Sequence, residues 1–138
     1  MRGVSVLRAA FVGFAALALG LLASSASAGY GIPEDQLDAQ KVYYGNSEAF
    51  ETPASVKIED VLKATPEYDE IKKKKIERGT GKYWILVSQA QERSKQAIAE
   101  VGKESDYDLI CEDGYLDELE PAIPSVDVTE SVLEKLEE

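Results

Sequence analysis

Apolar positions along the chain change their spacing several times, and each change marks an element. Val56 and Ile58 alternate with Lys57 in the two-residue rhythm of a strand, and Val61-Leu62 follow as a single helical turn. Thr65-Pro66-Glu67 then opens a helix: a hydroxyl cap, proline at the first helical position, and acids close to the positive end of the helix dipole. Lys72 to Lys75 and Arg78 fall in the later turns, where cations favour the negative end, so the spacing predicts a helix from Pro66 to Arg78. Its 13 residues would measure about 20 Å at the α-helical rise.

Gly79-Thr80-Gly81 breaks that helix, and a second is predicted from about Lys82 to Val101. Tyr83, Leu86, Val87, Ala90, Ala97, Ile98 and Val101 recur at three- and four-residue spacing as one stripe, with Ser94 the polar gap and Gly102 a terminator. Two helices joined by a tight glycine turn fold back as a hairpin, here an arm over about residues 66–102. Trp84 and Ile85 fall off the stripe, and their helical continuations are polar. They are expected to face outward near the hairpin tip, either packed on another subunit or in contact with a client, because exposed apolar patches seldom lack a reason.

Asp106 to Leu116 reads as a strand with Tyr107, Leu109 and Cys111 on one face, closed by an Asp113-Gly114 turn. After an acidic loop with Pro121 and Pro124, Val126 and Val128 alternate again. Thr129 then caps a short last helix carrying Val132, Leu133 and Leu136. The order is strand, helical hairpin, strand, strand, helix: an α+β domain over residues 55–138, with a small body of short strands, a projecting antiparallel helical hairpin and a short C-terminal helix. Residues 29–54 show no period and are expected to be an extended or disordered leader, with one ordered patch at Val42-Tyr43-Tyr44.

The first 28 residues have the composition of a signal peptide. Arg2 and Arg8 precede an uncharged apolar run from Ala9 to Ala23, and Ala26-Ser27-Ala28 gives the small-x-small cleavage pattern. The run is shorter than the roughly 20 residues that span a bilayer. The expectation is a periplasmic protein cut after Ala28. Of the 138 residues this leaves 110, with 13 basic and 26 acidic side chains and 42 apolar ones. That apolar count, with strands too short for a stable sheet within one chain, predicts oligomerisation.

Composition also narrows the chemistry. The chain has no histidine, which removes Ser-His and Cys-His nucleophilic machinery and most zinc sites. Cys111 is alone and sits beside Leu109 and Ile110, as a buried small hydrophobe does. Gly79-Thr80-Gly81-Lys82 lacks the rest of a phosphate loop, having Ile76 and Tyr83 where that pattern needs glycine and a hydroxyl residue. The strong acidic excess argues against nucleic acid. Glu112, Asp113, Asp117, Glu118 and Glu120 are dense but lack the spacing of a calcium loop, and they read as a solvated loop. No catalytic residue, metal or cofactor is indicated.

Three segments taken together resemble the Skp/OmpH family of periplasmic chaperones. Val56 to Tyr68 (VKIEDVLKATPEY) is similar to that family's opening strand, V-L turn and capped long helix. Tyr107 to Leu116 (YDLICEDGYL) is similar to its strand after the returning helix, and Val126 to Leu136 (VDVTESVLEKL) to its closing strand and helix. The segments keep the family's order and span about 80 of the 110 residues. The resemblance implies a homotrimer with a central strand body and coiled-coil helical arms that bind unfolded or outer-membrane proteins, without catalysis or cofactor. Val56, Ile58, Tyr107, Leu109, Val126 and Val128 would then be body core, and Thr65 and Pro66 would open the arm. Lys72, Lys73, Lys74 and Lys75 with Trp84 and Ile85 would form a basic, partly apolar tip suited to a client or an anionic membrane surface. The alternative is a structural or interaction module of the envelope that binds one folded partner without holding unfolded chains.

Overall fold

A computed structural model describes residues 29–138; the expected signal peptide lies outside the described residues. The fold is α+β. Four strands, β1 (Val42–Gly45), β2 (Pro53–Val56), β3 (Leu109–Glu112) and β4 (Val126–Asp127), form one mixed sheet in the order β1-β3-β2-β4. β3 pairs antiparallel with β1 and parallel with β2, and β2 pairs parallel with β4 on its other side. The crossover between the parallel neighbours β2 and β3 consists of α1 (Ile58–Lys63), α2 (Pro66–Lys73) and α3 (Gly81–Glu104), and α4 (Thr129–Leu136) closes the described chain.

Both faces of the sheet are covered. On one, Ala54, Val56 and Ile110 pack against Ala97, Ile98 and Val101 of α3 and Val132 of α4. On the other, Leu109 and Cys111 pack against Ile32, Phe50, Tyr115, Leu116, Leu119 and Ile123. The expected leader therefore belongs to the fold. Tyr30 and Phe50 exchange backbone hydrogen bonds and stack their rings, Ile32 and Phe50 are buried, and β1 lies inside the segment. A single chain makes a four-stranded sheet with two cores, so short strands do not by themselves require a second chain.

Several expected core positions shift. Val56 and Leu109 are buried strand residues, as expected. Ile58 instead starts α1 and is half-buried. Tyr107 precedes β3 and packs half-buried with the Ile110 cluster, opposite to Leu109, because regular pairing begins only at Leu109 after Asp106 takes a left-handed conformation (φ 61°). Val126 is 54% exposed on a two-residue edge strand. Val128 is buried but lies beyond the strand, at the entry to α4. There Asp127 accepts hydrogen bonds from both the amide (2.9 Å) and the hydroxyl (2.6 Å) of Thr129, which is the first residue of the helix rather than its cap.

The α3 stripe forms from Leu86 onward as its spacing predicts: Leu86, Val87, Ala90, Ser94, Ala97, Ile98 and Val101 are buried, while Tyr83 at its start is only half-buried. Gly102 is not a terminator, since α3 runs on to Glu104; a side chain at 102 would overlap the Tyr44 ring that crosses the helix there. Gly45 also has a required role, with φ 96° and the Asp108 carbonyl where a Cβ would lie. Ser94 is fully buried and its hydroxyl has no hydrogen-bond partner. A buried unpaired hydroxyl costs about 1–3 kcal/mol, so Ser94→Ala is expected to leave stability unchanged or raise it by about 1 kcal/mol. A thermal melt of the variant checks this, and a fall in melting temperature would mean that the hydroxyl has a partner.

Candidate functional site

The hairpin begins as the sequence dictates. Thr65 caps α2, its hydroxyl accepting from the Tyr68 amide at 3.3 Å and donating to the Leu62 carbonyl at 2.6 Å, with Pro66 first in the helix. The helix ends five residues earlier than the spacing predicts. Lys75 adopts a left-handed conformation (φ 50°), the Ile76 amide reaches back to the Ile71 carbonyl at 3.0 Å and the Lys75 amide to Lys72 at 3.3 Å. These two bonds are the pair that closes a helix when its next residue turns left-handed. Thr80 then caps α3 by accepting from the Tyr83 amide at 3.2 Å.

The two helices are held side by side by an ion pair. Arg93 of α3 donates to both carboxylate oxygens of Glu67 in α2, with Nε–Oε1 at 2.9 Å and Nη2–Oε2 at 2.8 Å. The Arg93 hydrogen bonds hold the Glu67 carboxyl below its ordinary pKa, against the opposing effect of burial. A two-pronged pair restrains orientation as well as distance, which a lysine in the same place would not do. Lys82 to Glu70 (3.6 Å) adds a weaker link nearer the tip.

At the tip, Trp84 is 57% and Ile85 59% exposed, as their position off the stripe predicts. Tyr83 meets Trp84 edge-on, ring centres 5.0 Å apart, and its hydroxyl accepts from Arg78 Nε at 3.3 Å. The four lysines are exposed but not equivalent. Lys73 pairs with Asp69 at 2.9 Å and Lys74 with Glu70 at 3.4 Å, each one turn back along α2. Among the described residues, Lys72 and Lys75 form no ion pair. The structure thus gathers Trp84, Ile85 and the lysine run at one end of the hairpin, and adds Arg78, Lys82 and Tyr83. Those three were legible in sequence only by their nearness to the turn.

A cleft of about 390 Å³ lies on the hairpin beside the Glu67–Arg93 pair, lined also by Gln89, Glu92 and Gln96, and others lie on the body. Of the latter, one of about 470 Å³ is lined by Asp38, Lys41, Tyr43, Lys57, Asp60 and Glu112, and a neighbour of about 290 Å³ by Tyr43, Ile58, Leu62, Gln91 and Lys95 among others. The Glu112 carboxylate in the larger of these accepts from the Tyr43 hydroxyl at 2.8 Å and the Ile58 amide at 3.3 Å. Burial, then the hydrogen bond and charge of Glu112, push the Tyr43 phenol well above its ordinary pKa. This pair ties β1, β3 and the start of α1 together. Burial likewise pushes the Cys111 thiol up to about 12, so it is protonated near neutral pH. Among the described residues no cluster of His, Cys, Asp and Glu is placed to hold a metal ion, and no helix is long and apolar enough to cross a membrane.

No protein-family model, curated protein or solved structure matches the chain.

Proposed function

We propose that the chain is an exported interaction protein of the cell envelope that attaches to its partner through the tip of the α2–α3 hairpin, without catalysis. One observation carries this. Trp84 and Ile85 stand exposed at the end of the hairpin that also carries the exposed Lys72 and Lys75, while most of the other large apolar side chains close into the two cores. Desolvating two such side chains supplies affinity, and the free cations supply attraction at longer range.

A chaperone that holds unfolded or outer-membrane proteins, as the resemblance to Skp/OmpH implies, would use the same patch. The length of the arm supports contact with a surface over enclosure of a chain: α2 has eight residues, about 12 Å. The experiment adds a denatured outer-membrane protein to a near-stoichiometric amount of the purified exported protein and follows light scattering. Alongside it, the binding of the protein to isolated envelopes is measured by co-sedimentation. The expected result is envelope binding with no suppression of aggregation. Suppression that disappears in Trp84→Ser/Ile85→Ser would establish the chaperone instead. A sedimentation mass on the same sample tests for a homotrimer.

A further inference from the structure

The charges of this chain are segregated. Residues 69–84, which include the Asp69 and Glu70 carboxylates paired with Lys73, Lys74 and Lys82, hold six basic side chains and three acidic, a net +3, while the other 94 described residues hold seven basic and 23 acidic, a net −16. Helix α3 sets the two regions apart. Its 24 residues span about 36 Å, with the basic end at Lys82 and the far end among Ala97, Ile98 and Val101 against the sheet. A physiological Debye length is about 8 Å, so a surface touching the tip feels the tip's charge and little of the body's.

From this we infer that the partner of the tip is an anionic phospholipid surface. The inference rests on the tip being the binding surface and names what it binds. Three features select lipid. First, an anionic plane attracts the tip and repels the body, so the molecule has one orientation on it, hairpin down. Second, the apolar residues are of the interfacial kind. Trp84, seated edge-on against the half-buried Tyr83, is an amphipathic ring that settles at the headgroup level, and the exposed Ile85 beside it reaches the acyl boundary. Third, the clefts described above lie on the body and on the part of the hairpin beside the Glu67–Arg93 pair, and residues 71–84 line none of them. A basic tip with an exposed indole can enter a lipid interface without needing a cleft.

Trp84 is the sole tryptophan of the chain, so its fluorescence reports on the tip alone. The exported protein is titrated with vesicles of phosphatidylglycerol mixed into phosphatidylcholine, and with pure phosphatidylcholine, at low and at high salt. Trp84 emission is expected to shift to the blue with the anionic vesicles only, and binding to fade as salt rises. With each cation near an anionic surface worth about 1 kcal/mol, Lys72→Gln/Lys75→Gln should weaken binding about 30-fold at low salt. Ile85→Ser, which keeps the reporter, should weaken it without changing the salt dependence. Circular dichroism on each variant confirms the fold. Equal binding to neutral vesicles, or binding indifferent to the two lysines, overturns the inference. If anionic vesicles fail to bind while isolated envelopes still bind through the tip, a protein receptor replaces the lipid and the tip reading stands. Blue-shifted emission without any vesicle, from a species of twice the chain mass or more, would place a second copy on the tip and overturn both.

Discussion

Leu109→Ala is expected to lower stability by about 2–5 kcal/mol, the range for deleting a buried leucine side chain, and Asp108→Ala beside it by about 0.5–1.5 kcal/mol, the net contribution of a hydrogen bond. Leu109 is fully buried under Phe50, Leu116 and Ile123, and it pairs with β1 on one side and β2 on the other, so little around it can collapse into the space. Asp108 is exposed and alternation alone would make it silent. Its carboxylate, however, accepts from the amides of Glu51 at 2.7 Å and Thr52 at 2.8 Å, bridging the turn that leads into β2. What burial it has pushes its pKa up, but the Glu51 and Thr52 hydrogen bonds outweigh this and hold the carboxyl below its ordinary value. A depressed folded pKa stabilises above the unfolded value of about 3.9 and loses that contribution as pH falls through the folded one. The gap between wild type and Asp108→Ala should therefore be full at neutral pH and narrow below about pH 4. Denaturant melts of both variants at neutral and acid pH check it, and a gap that stays constant with pH would mean that the carboxylate does not act through its charge.

The second large effect falls on binding. Trp84→Ser/Ile85→Ser is expected to abolish envelope attachment at any ionic strength while leaving the melting temperature and the mass of the protein unchanged. Both side chains are more than half exposed, so their removal opens no cavity in either core. Affinity suffers because burying a large apolar side chain contributes about 1.5–3 kcal/mol, and two lost together exceed a hundredfold in binding. The competing arrangement, with Trp84 in a contact between subunits, makes the opposite forecast: the double variant dissociates or melts earlier. Size-exclusion chromatography and a thermal melt of the same sample separate the two.

How much of this was legible depended on the surroundings of each segment. The α3 stripe could be read because that helix buries one side and leaves the other in water, which writes a three-to-four period into the chain. Trp84 and Ile85 stood out as exceptions to that period, so the candidate site was found by the same rule. β3 resisted the alternation rule. Leu109, Ile110 and Cys111 are all buried because the strand is covered on both faces, so its inward and outward positions look alike. Val126 misled for the opposite reason, since a two-residue edge strand leaves no room for alternation to carry meaning.

The end of α2 was hidden because a lysine, not a glycine, takes the left-handed position at 75. Residues 29–54 contribute Tyr30, Ile32 and Phe50 singly to the cover of one face of the sheet, too far apart to repeat. The Asp108 bridge and the Glu67–Arg93 pair join residues 56 and 26 positions apart, and distance of that kind leaves no local trace.

The claim that the hairpin tip is a free surface in the isolated protein and a covered one in the bound state is tested most directly by quenching of Trp84 fluorescence. Acrylamide is titrated into the protein of residues 29–138 alone and into the same protein bound to envelopes. Quenching is expected to be efficient in the free protein and strongly suppressed on binding. A Trp84 already shielded in the free protein, or one equally quenched when bound, would contradict the claim.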